Sequence, residues 1–152
     1  SNRCEVRATR FQPDMNHNID KALSLEPDLV IISFPSNDAA SSYLAEESAY
    51  NLLLMRDMLA REDVATVIIG AQPRNMSTDK QKLLIELDVL LAERMKACLV
   101  KVYQPLVDSA GNLSASFDAG DGVHMNDAGH AIVFDALREM LTPSSANTCF
   151  SS

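Results

Sequence analysis

Three short apolar runs, separated by long stretches of helical periodicity, restrict this chain more than any other feature. Leu29-Val-Ile-Ile32 is continuous and rich in β-branched residues. Val64-Ala-Thr-Val-Ile-Ile69 is a second such run, closed by Gly70, and Cys98-Leu-Val-Lys-Val102 is a third. Runs of this kind are typical of parallel strands buried on both faces. Between the first and second, residues 42–61 place Leu44, Leu52, Leu53, Met55 and Leu59 at helical spacing. Between the second and third, a helix is predicted from Asp79 to Lys96, with Leu83, Leu84, Leu87, Leu90, Leu91 and Met95 as its stripe. A shorter helical pattern covers Asn18 to Leu25, and a last one covers Asn126 to Leu141. Cys4 to Thr9 alternates weakly and reads as a short strand. Strands alternating with helices imply an α/β fold: a parallel sheet with helices on both faces.

In such folds ligands bind beyond the carboxyl ends of the strands. Two polar segments occupy that position. Pro35-Ser-Asn-Asp38 follows the first run, and Asp121-Gly-Val-His124 lies on the long irregular connection after the third. Right-handed crossovers bring both to one edge of the sheet. There a carboxylate at Asp121 can orient the His124 imidazole, which can take a proton from a hydroxyl nucleophile. The Asn37 amide can donate to a developing oxyanion, and Asp38 can brace its loop through backbone amides. The same residue types also suit turns and caps: Asn126 or Asp127 is a good N-cap, and Ser36-Asn37-Asp38 a good turn or helix start. His130 reads as a partly exposed helix residue, and His17 has no recognisable partner. His124 and His130 are not at metal-ligand spacing on one helical face.

Charge limits the partners. With 13 basic and 21 acidic residues the net charge is -8, and the pI is near 4.7. No basic patch could release phosphate counterions from nucleic acid or hold an anionic membrane. No apolar run approaches the ~20 residues that span a bilayer, and no signal peptide is recognisable. The 152 residues are expected to form one domain, 1–152, with a loosely held tail over 142–152. Of the three cysteines, Cys98 is expected to be a buried thiol, and Cys4 and Cys149 are candidates for a terminal disulfide. That bond would favour a periplasmic or secreted protein; without it the expectation is cytoplasmic.

The run Pro27-Asp-Leu-Val-Ile-Ile-Ser-Phe-Pro-Ser-Asn-Asp38 resembles the third block of the SGNH, or GDSL-type, hydrolases, a strand followed by G-x-N-D. Asp121-Gly-Val-His-Met-Asn-Asp-Ala-Gly-His130 is similar to their last block, D-x-x-H followed by a helix. The resemblance covers roughly Asn18 to Leu141. It implies a three-layer α/β/α flavodoxin-like fold and hydrolysis of a small-molecule or carbohydrate ester, acyl or acetyl. It further implies Asn37 as oxyanion donor, His124 as general base, Asp121 as its orienting acid, and no metal or organic cofactor. Two departures stand out. Pro35 replaces the glycine of G-x-N-D, and no G-D-S motif, which carries the family's serine, occurs among the 152 residues. The chain is therefore expected to lack the family's first, central strand and the nucleophile on it, and to be inactive by itself. A non-catalytic domain binding a glycan or acyl ligand in the same cleft is the alternative. A nucleotide or phospho-receiver domain is disfavoured, because no Gly-rich phosphate loop follows a strand.

Overall fold

The structure is a computed structural model that describes residues 18–95 and 98–142. Its centre is a parallel sheet of three strands in the order β1-β2-β3: β1 Leu29–Ile32, β2 Ala65–Ile69 and β3 Leu99–Val100. Leu29 faces Ala65 and Ile32 faces Ile68, while Ile68 in turn faces Leu99. Six helices accompany the strands among the described residues: α1 Ile19–Leu23, α2 Pro35–Ala40, α3 Ala45–Ala60, α4 Thr78–Met95, α5 Tyr103–Leu106 and α6 Asp127–Met140.

Alternation along each strand sorts the core into two faces. Ile32, Ile68 and Leu99 pack with Ile19 of α1, Leu52, Met55 and Leu59 of α3, and Leu87 and Leu91 of α4. Val67 and Val100 point the other way, with Leu106 and Leu113, against Ile132, Val133, Ala136 and Leu137 of α6. The architecture is thus the expected α/β/α sandwich. A third, smaller cluster of Ala39, Ala71, Leu84 and Tyr103 lies where the chain leaves all three strands. It is the apolar floor on which the strand-end loops rest.

Several expectations need correction. Residues 35–40 form a helix rather than a loop, with Pro35 in its first turn, where a missing N–H costs nothing. The strand expected over 98–102 is only Leu99–Val100, because Val102 is already the N-cap of α5. Leu29–Ile32 is not buried on both faces: Ile31 is 42% exposed. Among the described residues β1 pairs on one side only, and α6 packs over β2 and β3 instead. Cys98 is not a free thiol but disulfide-bonded. Cys4, Cys149, His17, the strand expected over 4–9 and the tail beyond 142 lie outside the described residues.

Candidate active site

The chain between β3 and α6 turns sharply around one carboxylate. Asp118 accepts hydrogen bonds from the backbone amides of Gly120 at 2.9 Å, Asp121 at 3.2 Å and Gly122 at 2.9 Å. Aspartate followed two residues later by glycine favours such turns, because the side chain replaces the backbone acceptor. Gly122 is left with φ +71°, and a Cβ there would lie 2.4 Å from Asn75 Nδ2. Only glycine fits both the conformation and the space.

The turn delivers Asp121 and His124 to each other. His124 Nδ1 lies 2.6 Å from Asp121 Oδ2, while Asp121 Oδ1 accepts from the backbone amides of Val123 at 2.9 Å and His124 at 2.8 Å. The hydrogen bond to the His124 ring, followed by those two amides, holds the Asp121 carboxyl well below the usual carboxylate range. An ionised carboxylate only accepts, so Nδ1 must donate and the proton sits there. In the neutral imidazole Nε2 is then the acceptor. Both side chains are open to solvent, His124 at 77% and Asp121 at 52%.

Asn126 locks the loop to the final helix. Its Oδ1 caps α6 by accepting from Gly129 N at 3.0 Å, and its Nδ2 donates to the carbonyls of Ser116 at 3.1 Å and Asp118 at 3.2 Å. Of the two expected caps, Asn126 is the one used. A Cβ on Gly129 would fall 3.0 Å from the Phe117 carbonyl, so the helix start closes down only on glycine. His130 is exposed on α6.

Asn37 lies in α2, just beyond the carboxyl end of β1, and is exposed. Its Oδ1 accepts from Arg74 Nη1 at 3.1 Å. At Asp38 it is the main-chain carbonyl that takes hydrogen bonds, from Ser41 N at 3.1 Å and Tyr43 N at 3.0 Å. Lys80 donates to the Ala40 carbonyl at the end of α2, where the helix dipole favours a cation.

The loop after β2, residues 70–77, joins the two halves. Arg74 reaches Asn37 on one side. On the other, Asn75 N donates to Gly122 O at 2.8 Å, Asn75 Oδ1 accepts from Leu113 N at 3.1 Å, and Gln72 Nε2 donates to Val123 O at 2.6 Å. Asp88 of α4 holds the root of this loop by accepting from Ala71 N at 2.6 Å, and burial pushes its carboxyl up. The structure therefore brings Asn37, Asp121 and His124 to the same sheet edge. Sequence reasoning missed Gln72, Arg74, Asn75 and Asp118. The D-A-G-D-G turn pattern could have pointed to Asp118; no local signal pointed to the others. Among the described residues no group of three or more His, Cys, Asp or Glu could hold a metal. No helix there is long and apolar enough to cross a membrane.

A parallel α/β domain with an Asp–His pair and an asparagine beyond its strand ends defines a class, and comparison with known proteins gives the family. Residues 3–132 match the GDSL-like lipase/acylhydrolase family, and the chain belongs to it. Among solved structures it is similar to a GDSL-like lipase from Bacteroides thetaiotaomicron. That match has a TM-score of 0.67 and 20% identity, over 79% of this chain and 64% of that one. A carbohydrate esterase family 3 structure from Talaromyces cellulolyticus matches with a TM-score of 0.64 and 16% identity, over 86% of this chain and 65% of that one. A psychrotrophic esterase from a Pseudoalteromonas species matches with a TM-score of 0.60 and 19% identity, over 79% and 64%. The chain thus spans less than two-thirds of each of these relatives. No curated protein matches it.

Proposed function

We propose that this chain carries the base and oxyanion half of a serine ester hydrolase acting on a small-molecule or carbohydrate ester. The observation that carries the reading is the 2.6 Å contact between His124 Nδ1 and Asp121 Oδ2, within a loop that spends Asp121's other oxygen on two backbone amides. Fixed in this tautomer, His124 presents Nε2 to a serine hydroxyl. It takes the proton as the oxygen attacks the ester carbonyl, then returns it to the leaving alcohol. Water repeats the two steps on the acyl-enzyme. Asn37 Nδ2 donates to the carbonyl oxygen as it becomes an oxyanion, a contribution of roughly 10²–10³ in rate. The carbohydrate esterase of similar fold supports a sugar ester as substrate, by analogy of fold alone. In this reading the serine comes from outside these 152 residues, which contain no G-D-S, so the 152-residue chain alone takes up no fluorophosphonate.

The test is His124→Ala in the native full-length polypeptide, followed on p-nitrophenyl acetate. Turnover should fall by about 10⁴ or more, the loss seen when a triad member is removed, while far-UV circular dichroism stays unchanged. Retention of most of the turnover would refute the general-base role.

A further inference from the structure

Asparagine is an ambiguous oxyanion donor. Its amide has a donor end and an acceptor end of nearly equal shape, and half a turn about χ2 would aim an oxygen at the oxyanion instead. In this site the choice is made by Arg74. Guanidinium has donors and no acceptor, so the amide atom 3.1 Å from Arg74 Nη1 must be Oδ1. Nδ2 is left on the other side, and among the described residues no group accepts from it.

We infer that Arg74 is a positioning residue: its hydrogen bond to Asn37 Oδ1 fixes the carboxamide with Nδ2 turned away from the guanidinium and open to an oxyanion. The inference rests on the reading of Asn37 as the oxyanion donor. Three features of the fold make Arg74 suited to the task. The loop bearing it is anchored at its root by Asp88 on Ala71 N. The neighbouring Asn75 is bonded to the loop of the Asp–His pair, through Gly122 O at 2.8 Å. Arg74 is also half-buried, which limits the freedom of its long side chain. The position of the amide is thus referred, through one short loop, to the position of the base. A cation on Oδ1 also withdraws electron density from the amide and makes Nδ2–H the stronger donor.

The test is a double-mutant cycle in the native full-length polypeptide, with p-nitrophenyl acetate as the probe. Arg74→Ala should lower kcat by about 5- to 50-fold, less than the whole value of one oxyanion donor, and leave KM within about twofold. Arg74→Lys, which keeps a donor, should recover most of the loss. In the Asn37→Ala background Arg74→Ala should have no further effect. A nitrogen-15 spectrum adds a readout independent of turnover: the two Asn37 side-chain amide protons should exchange places faster in Arg74→Ala than in the wild type. If Asn37→Ala impairs kcat and Arg74→Ala does not, the inference is wrong and the oxyanion reading stands. An Arg74→Ala loss that persists in the Asn37→Ala background overturns it too, because Arg74 then acts on another group. If Asn37→Ala keeps full activity, both the oxyanion reading and the inference fall.

Discussion

Asn126→Ala is the substitution whose cost can be worked most fully from the structure. The side chain does two separable things. Its Oδ1 caps α6 through Gly129 N, and its Nδ2 ties down the carbonyls of Ser116 and Asp118. Losing an asparagine N-cap costs about 1 kcal/mol. Each of the two carbonyl bonds is worth about 1 kcal/mol net. The sum is about 3 kcal/mol, which for a domain of this size lowers Tm by about 6–12 °C. Asn126→Ser separates the parts, because the hydroxyl can still cap while the two donors are gone. It should cost about 2 kcal/mol, leaving a difference of about 1 kcal/mol between the variants. Urea unfolding followed by circular dichroism measures both. Equal destabilisation by alanine and serine would refute the capping role. Two variants within about 0.5 kcal/mol of the wild type, the spread of ordinary surface substitutions, would refute the whole account of how the loop is held.

Gly122→Ala should destabilise the chain by about 2–3 kcal/mol, combining a left-handed conformation imposed on alanine with displacement of Asn75 from Leu113 N; thermal unfolding reads it, and an unchanged Tm would contradict the geometry. Asp121 titrates lower folded than unfolded, so its stabilisation is present at neutral pH and is lost as pH falls below the ordinary carboxylate range. The Tm difference between wild type and Asp121→Asn should therefore be largest near neutrality and shrink in acid. Asp88, raised by burial, has the opposite sign: Asp88→Asn should gain on the wild type as pH rises through the titration of Asp88.

Legibility in the sequence followed the range of each signal. Leu29–Ile32 was readable to the residue because a continuous β-branched run sits between Pro27 and Pro35. The start of α6 was readable because a capping asparagine precedes an apolar stripe. Helix α2 was not, because Ser36, Asn37 and Asp38 are turn formers, and the helix-start signal of Pro35 was outweighed by them. The Asp–His pair was readable because both members lie within three residues on one loop. Ile31 misled in the other direction. Its residue type suits a buried strand, but burial is decided by what packs on it, and α6 is centred over β2 and β3.

The parts of the site that were not readable share one property: they join segments far apart in the chain without any period. Arg74 to Asn37, Asn75 to Leu113 and Gln72 to Val123 each span more than thirty residues, and none belongs to a stripe or ladder. Their arrangement has a consequence for how the site tolerates change. The Asp–His geometry is set inside its own loop by the carboxylates of Asp118 and Asp121 on nearby amides, so it is insensitive to what happens at β1. The distance from Asn37 to His124 has no such local guarantor. It depends on the 70–77 loop, which is bonded to both sides and rests on the small apolar floor of Ala39, Ala71, Leu84 and Tyr103. Perturbing that loop moves Asn37 against the Asp–His pair, whose own mutual hydrogen bonds do not involve it. In the proposed reaction a misplacement of about 1 Å far from the reacting bond costs on the order of 10²-fold. Residues 70–77, bonded both to Asn37 and to the loop of the Asp–His pair, are therefore the segment on which the relative placement of the two depends.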